Sequence, residues 1–173
     1  MANIDGFLKL DGISGESVDK GHPNEIQILG WHWDMTNSSS VSFGTGSATG
    51  KVSLGELTIV KRTDSSTASL ITSVTLGKHI KNGTLTLRKA AGQSGAPVNY
   101  IVIEMNDMWV SGIEQGNLDE DGDDNEGEVM KETVRFTFVG FKMTYTQQKN
   151  DGSAGNKFPV EYNVQTNTAS MGG

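Results

Sequence analysis

The densest run of potential metal ligands is Asp119-Glu-Asp-Gly-Asp-Asp-Asn-Glu-Gly-Glu128. Asp119, Asp121 and Asp123 take the first, third and fifth positions of a calcium loop. Such a loop needs glycine at its sixth position and a bidentate glutamate at its twelfth. Asp124 and Met130 stand there instead, and the flanks read as strands rather than helices. The run is therefore expected to be a solvated hairpin tip of mutually repelling carboxylates, and a weak calcium contact is the one metal reading it leaves open. His22, His32 and His79 have no metal-ligand spacing. Cysteine is absent, which removes disulfides, thiolate metal sites and cysteine catalysis. No Gly-x-Ser-x-Gly elbow presents a nucleophile. The Gly44–Gly50 run has G-x-G-x-x-x-G spacing with no helix pattern after it, so it is not expected to cradle phosphate. These residues point to no catalytic, cofactor or metal site.

Two tryptophans remain as candidates for binding. In Glu25-Ile-Gln-Ile-Leu-Gly-Trp-His-Trp33, alternation puts Trp31 and Trp33 on the face of Leu29. Core packing is the expected role, and an exposed pair stacking on a sugar is the alternative. His32 then faces away from the core, onto an outer surface or an interior channel. A long uncharged Gly/Ser/Thr run follows from Met35 to Gly50. A loop of that length in a compact domain usually binds something.

The elements that must position these residues are mostly strands. Leu57 and Ile59 lead one strand, and Leu85 and Leu87 alternate in another after an Asn82-Gly83 turn signal. Val98 to Met105 is apolar on both faces, and Asn106-Asp107 is expected to break it before Met108 to Ile113. Phe158, Val160, Tyr162 and Val164 alternate with polar residues, and Pro159 predicts an edge position. Within Thr133–Tyr145, Val134, Phe136 and Phe138 share one phase, and Val139, Phe141, Met143 and Tyr145 share the other. That change predicts a bulge or a corner between two walls. One helix is expected after Asp64-Ser-Ser-Thr, with an apolar stripe of Leu70, Ile71 and Val74 and a stop at Gly77. The fold class is mainly β: a β-barrel or two packed antiparallel sheets with one short flanking α-helix, as a single domain over 1–173.

Composition limits the partners. The net charge of −7 and pI near 4.9 disfavour nucleic acid. No segment has the length to span a bilayer, so no membrane insertion is expected. The N-terminus lacks the basic and apolar regions of a Sec signal, so the chain is expected to be cytoplasmic first and exported, if at all, by other machinery.

Ile4-Asp-Gly-Phe-Leu-Lys-Leu-Asp-Gly-Ile13, Gly15-Glu-Ser17, His22, Glu25-Ile26 and Trp31-His-Trp33 resemble the start of the haemolysin-coregulated protein (Hcp) family, the tube proteins of type VI secretion. The resemblance continues through Gly50-Lys51-Val52, Asp64, Gly77-Lys-His79, Leu85-Thr-Leu-Arg-Lys89, Val134–Phe138 and Tyr145, in the family's order. Ser66-Thr67 departs from a Ser-Pro often found near the helix start. The acidic tip departs from an expected Gly/Ser-rich loop, which puts that tip's surface contacts in doubt.

The resemblance implies a small barrel with one flanking helix, forming homohexameric rings that stack into a tube. It further implies a contractile sheath around the tube, a spike protein at its head, effector proteins in its lumen and secretion without a signal peptide. No enzyme activity is expected. By analogy His32 becomes the lumen candidate. Met35, Ser38, Val41, Phe43, Gly44, Gly46 and Gly50 become candidates for ring and stacking contacts, because an uncharged loop costs little to desolvate. A monomeric carbohydrate-binding β-module using Trp31 and Trp33 is the alternative. A hydrolase on a β scaffold is a third reading, left without room for an added catalytic domain after the last strand.

Overall fold

The computed structural model describes residues 4–37, 52–89, 97–116 and 130–171. Ten strands and one helix follow in order. They are β1 (Ile4–Leu10), β2 (Ile26–His32), β3 (Met35–Asn37), β4 (Val52–Leu54), β5 (Leu57–Arg62) and α1 (Thr67–Leu76). Then come β6 (His79–Lys89), β7 (Val98–Gly116), β8 (Lys131–Gln148), β9 (Ala154–Asn163) and β10 (Thr168–Met171). Pairing runs β8-β5-β2-β1-β6-β7, and β7 returns to β8, which closes a six-stranded antiparallel barrel. Closure removes the free edges that β-branched and aromatic strands would otherwise expose. β9 and β10 continue outwards from β8.

The interior follows period two. Leu8 and Leu10 of β1, Ile26 and Ile28 of β2, Leu57 and Ile59 of β5 and Leu85 and Leu87 of β6 are buried together. Burying a side chain of this kind contributes about 1.5–3 kcal/mol. Gly6 has no room for a side chain, because a Cβ there would meet Ile28 Cγ1.

The predicted change of phase is real, and it is shared by three strands. Inward positions jump by three residues at the same level: Ile80 to Gly83, Met108 to Met105 and Phe138 to Phe141. Between these rows lie Lys81, Asp107 and Val139. Asp107 takes a left-handed backbone at φ 51°. Asn106 Nδ2 donates to its carboxylate at 2.9 Å, and His79 Nε2 lies 2.9 Å from it. Asn106-Asp107 therefore does not end a strand, as its sequence suggests. It folds β7 round a corner, and β7 runs unbroken from Val98 to Gly116.

Helix α1 ends where expected, at Gly77 with φ 59°, whose N–H and that of Lys78 reach back into the last turn. Its buried side is Leu70 and Ser73; Val74 is half-buried and Ile71 is exposed, so the stripe is narrower than predicted. The helix packs on β7.

Other expectations need correction. β2 is buried only at Ile26 and Ile28, while Leu29 and Trp31 are exposed. A bulge between Ile28 and Gly30 shifts the pairing, so Trp31 stands opposite Ile59 and His32 opposite Thr58. Val164 lies in a turn after β9 rather than in the strand. Its N–H donates to Val139 O at 2.9 Å, tying that turn to the corner.

Candidate assembly surfaces

β8 changes partner half-way along. It pairs with β5 as far as Phe136 opposite Leu57, and with β9 from Gly140 onwards; β7 runs beside both halves. The sheet β7-β8-β9 thus extends beyond the barrel with an apolar face. Phe141 stands opposite Tyr162, Met143 opposite Val160 and Tyr145 opposite Phe158. Exposure rises along this row, from 6% at Phe141 to 38% at Tyr145 and 54% at Phe158. The outer end is an aromatic ledge. Tyr145 stacks on Phe158 at 6.0 Å, Tyr100 meets Tyr145 edge-on at 6.0 Å, and Lys89 Nζ lies 4.3 Å from the Tyr100 ring centre. β10 pairs with β9 only from Val160 to Asn163. Among the described residues, 154–159 of β9 therefore keep an open edge, as Pro159 predicts.

The second surface lies at the end of β2. Trp33 is half-buried, at the margin of the core, and not part of a flat exposed pair. Its ring lies 4.7 Å from Phe141 and 5.6 Å from Phe138, and its Nε1–H donates to Gly55 O at 3.2 Å. Gly55 N–H donates to Asp34 O at 2.9 Å, and a Cβ on Gly55 would meet Asp34. These contacts clamp the root of the β3-β4 hairpin, where Met35 pairs with Leu54 and Asn37 with Val52. The run predicted as a structureless loop from Met35 thus begins as a strand. Met35, Trp31 and Leu29 are exposed. Ser38, Val41, Phe43, Gly44, Gly46 and Gly50 lie outside the described residues, as does the acidic run 119–128. His32 is exposed on the outer side of the sheet, with Nε2 a loose 3.9 Å from Asp34 Oδ1.

Two polar clusters that the sequence reading missed hold the frame behind these surfaces. Lys61 and Glu132 form a fully buried ion pair at 2.7 Å, and Lys61 also reaches Asp64 at 2.9 Å. Thr67 Oγ and Gln115 Nε2 donate to Glu132 at 2.9 and 2.8 Å. The first residue of α1 is thereby bolted to β5, β7 and β8. Burial alone would raise the Glu132 pKa; the bonds from Lys61, Gln115 and Thr67 outweigh it and hold the carboxyl below its usual range. One signal was present, since Lys61 continues the inward alternation of Leu57 and Ile59.

The other cluster lies under the segment between β1 and β2. Phe7 stacks on His22 at 4.4 Å, and the Arg88 guanidinium sits 5.0 Å from the Phe7 centre. Arg88 donates to Asp19 Oδ2 at 2.6 Å and Oδ1 at 3.0 Å. That bidentate bond, with a second from Gly21 N–H, lowers the Asp19 pKa to about 2.

Comparison with known proteins decides what this frame is. A family model described as "Type VI secretion system effector, Hcp" matches residues 7–145. The chain belongs to the Hcp family. Protein hcp1 of Pseudomonas aeruginosa is 36% identical over 166 residues, covering 95% of this chain and 97% of that one. A solved structure of a type six secretion system protein superposes with a TM-score of 0.85 at 25% identity, covering 97% of this chain and all of the other. Hcp1 from Salmonella typhimurium superposes at 0.77 with 31% identity, covering 98% and 100%. The Hcp likeness takes in the barrel and the β9-β10 extension alike. The chain is thus a type VI tube protein with a β-barrel, of a secreted, structural kind. No helix among the described residues is long and apolar enough to cross a membrane.

Proposed function

We propose that this chain is a subunit of the type VI inner tube. As one tube domain over 1–173, it forms homohexameric rings that stack, lie inside a contractile sheath behind a spike protein, and are expelled with effector proteins in the lumen. It begins in the cytoplasm and leaves by this route without a signal peptide, and it carries no enzymatic activity. The observation that carries the reading is the extension of β7-β8-β9. It offers an apolar ledge at Tyr145 and Phe158 next to an open β9 edge, in a chain of the Hcp family.

A cyclic ring needs a heterologous contact, in which one patch meets a different patch on the neighbour. The ledge supplies one patch. The exposed Trp31 and Met35, at the end of β2 and the root of the β3-β4 hairpin, supply another, which the run from Ser38 to Gly50 is proposed to complete. His32, exposed on the sheet's outer side, is the proposed lumen residue. The alternative of sugar stacking by Trp31 and Trp33 loses its platform, because Trp33 is committed to Phe138, Phe141 and Gly55 O.

Native mass by light scattering, with negative-stain images of the same peak, tests the reading. Rings of about 111 kDa (6 × 18.5) are expected. A monomer over a wide concentration range would overturn it.

A further inference from the structure

Behind the three-strand corner, on the side away from the barrel core, lies a groove of about 470 Å³. That volume falls in the range of about 300–1,000 Å³ typical of small-ligand sites. Met105 and Phe141 in its floor turn their side chains to the core on the other face. Its walls come from β6, β7, β8, β9 and β10, and the pairing register lays two polar rows across it. One row runs Asn82, Asn106, Gly140, Asn163 and Thr168; the other runs Thr84, Glu104, Lys142, Glu161 and Ser170.

The first row converges because its middle member has no side chain. A Cβ on Gly140 would lie 2.5 Å from Asn106 Oδ1 and 3.2 Å from Asn163 Nδ2, so an amide acceptor and an amide donor meet above a bare backbone. Their other ends are already fixed. Asn106 Nδ2 donates to Asp107, and Asn163 Oδ1 accepts from Gln165 and Thr166 N–H. The second row places Lys142 directly opposite both Glu104 and Glu161. Such neighbours normally pair. Yet among the described residues neither Glu104 nor Lys142 has a hydrogen bond or ion pair, and Glu161 holds only Ser170 Oγ. Three charged heads are left for something else.

We propose that this groove binds a neutral, hydroxyl-rich ligand, a saccharide of one or two rings. A cation would meet Lys142, and an anion would meet Glu104 and Glu161. A hydroxyl both donates and accepts, and only such groups satisfy carboxylates, an ammonium and two opposed amides set side by side. This site is separate from the Trp31 region and does not depend on ring assembly.

Thr84 and Thr168 line the groove, one in each polar row, and carry its reporter methyl groups. The protein, in the assembly it forms, is labelled with ¹³C at Thr methyls and titrated with N,N′-diacetylchitobiose into the tens of millimolar. Saturable shifts at Thr84 and Thr168 are expected. Glu104→Gln and Lys142→Gln each weaken the titration about tenfold or more, as loss of a charge-assisted bond should. Their native mass and Tm stay unchanged, both being exposed side chains. The absence of saturable shifts overturns the proposal. So do shifts produced instead by trilysine or by inorganic phosphate, or shifts that survive both substitutions and vanish with Trp31→Ala. None of these outcomes bears on ring formation, which native mass reports independently.

Discussion

The two halves of β8 share one pattern and meet opposite fates. In the first half Val134 and Phe136 alternate inwards, and the barrel closes over them completely. In the second half Phe141, Met143 and Tyr145 alternate in the same way, but their cover thins from buried Phe141 to exposed Tyr145. β5 stops pairing at Leu57, and β9 turns outwards in its place. Apolar alternation therefore fixes which side of a strand seeks cover. It does not fix whether that cover comes from the same chain.

The difference can be broken most sharply by truncating one aromatic from each half. Phe136→Ala should cost about 3–5 kcal/mol of folding stability, the usual price of an emptied core site. Phe158→Ala should cost about 0.5 kcal/mol or less, the range for exposed positions, while shifting the assembly towards smaller species. Urea unfolding and light scattering on both variants separate the two effects. Equal stability losses would mean that the ledge is covered within the subunit.

Next comes the bolt behind the barrel. Lys61→Ala leaves Glu132 buried without its partner, and breaking such a pair costs about 3 kcal/mol or more. Lys61→Met with Glu132→Leu, which removes both charges, should recover most of that loss. Denaturant midpoints of the single and double variants check this.

The smallest effect concerns Asp19. Its folded pKa lies at about 2, below its ordinary 3.8. A depressed pKa means that the Arg88 contact stabilises fully above the ordinary value and that its contribution disappears as pH falls from about 4 to 2. Asp19→Asn should flatten the acid limb of a Tm-against-pH profile in that window and leave the slope at neutral pH unchanged.

Much of this was legible beforehand. Period-two alternation located most of the strands, Gly77 marked the helix end, and the opposed phases around Val139 announced a corner. The family could be read from ordered short matches such as Trp31-His-Trp33 and Leu85–Lys89. What stayed hidden were properties of pairing. One bulged residue in β2 switched its phase, setting Trp31 opposite the inward Ile59 while leaving it exposed. Asp107 looked like a strand breaker because a left-handed residue in the middle of a sheet is rare, and only its neighbours on β6 and β8 turn it into a corner. Lys61 and Glu132 lie 71 residues apart, and no local pattern links them. The uncharged run from Met35 to Gly50 could be delimited in sequence, but of its candidate contacts only Met35 falls among the described residues.

The triple pairing of β8 also sets an order of events. β8 contacts β5, β7 and β9, so it completes the barrel and also templates the strand that carries the open edge. Until residues 131–148 have docked, β5 and β7 have no closing partner and the ledge has no second row. Contacts so distant in sequence form late and slowly. On the proposed ring reading, the strand that closes the barrel also holds the edge a neighbour would meet, so a copy whose barrel has not closed presents that edge out of place.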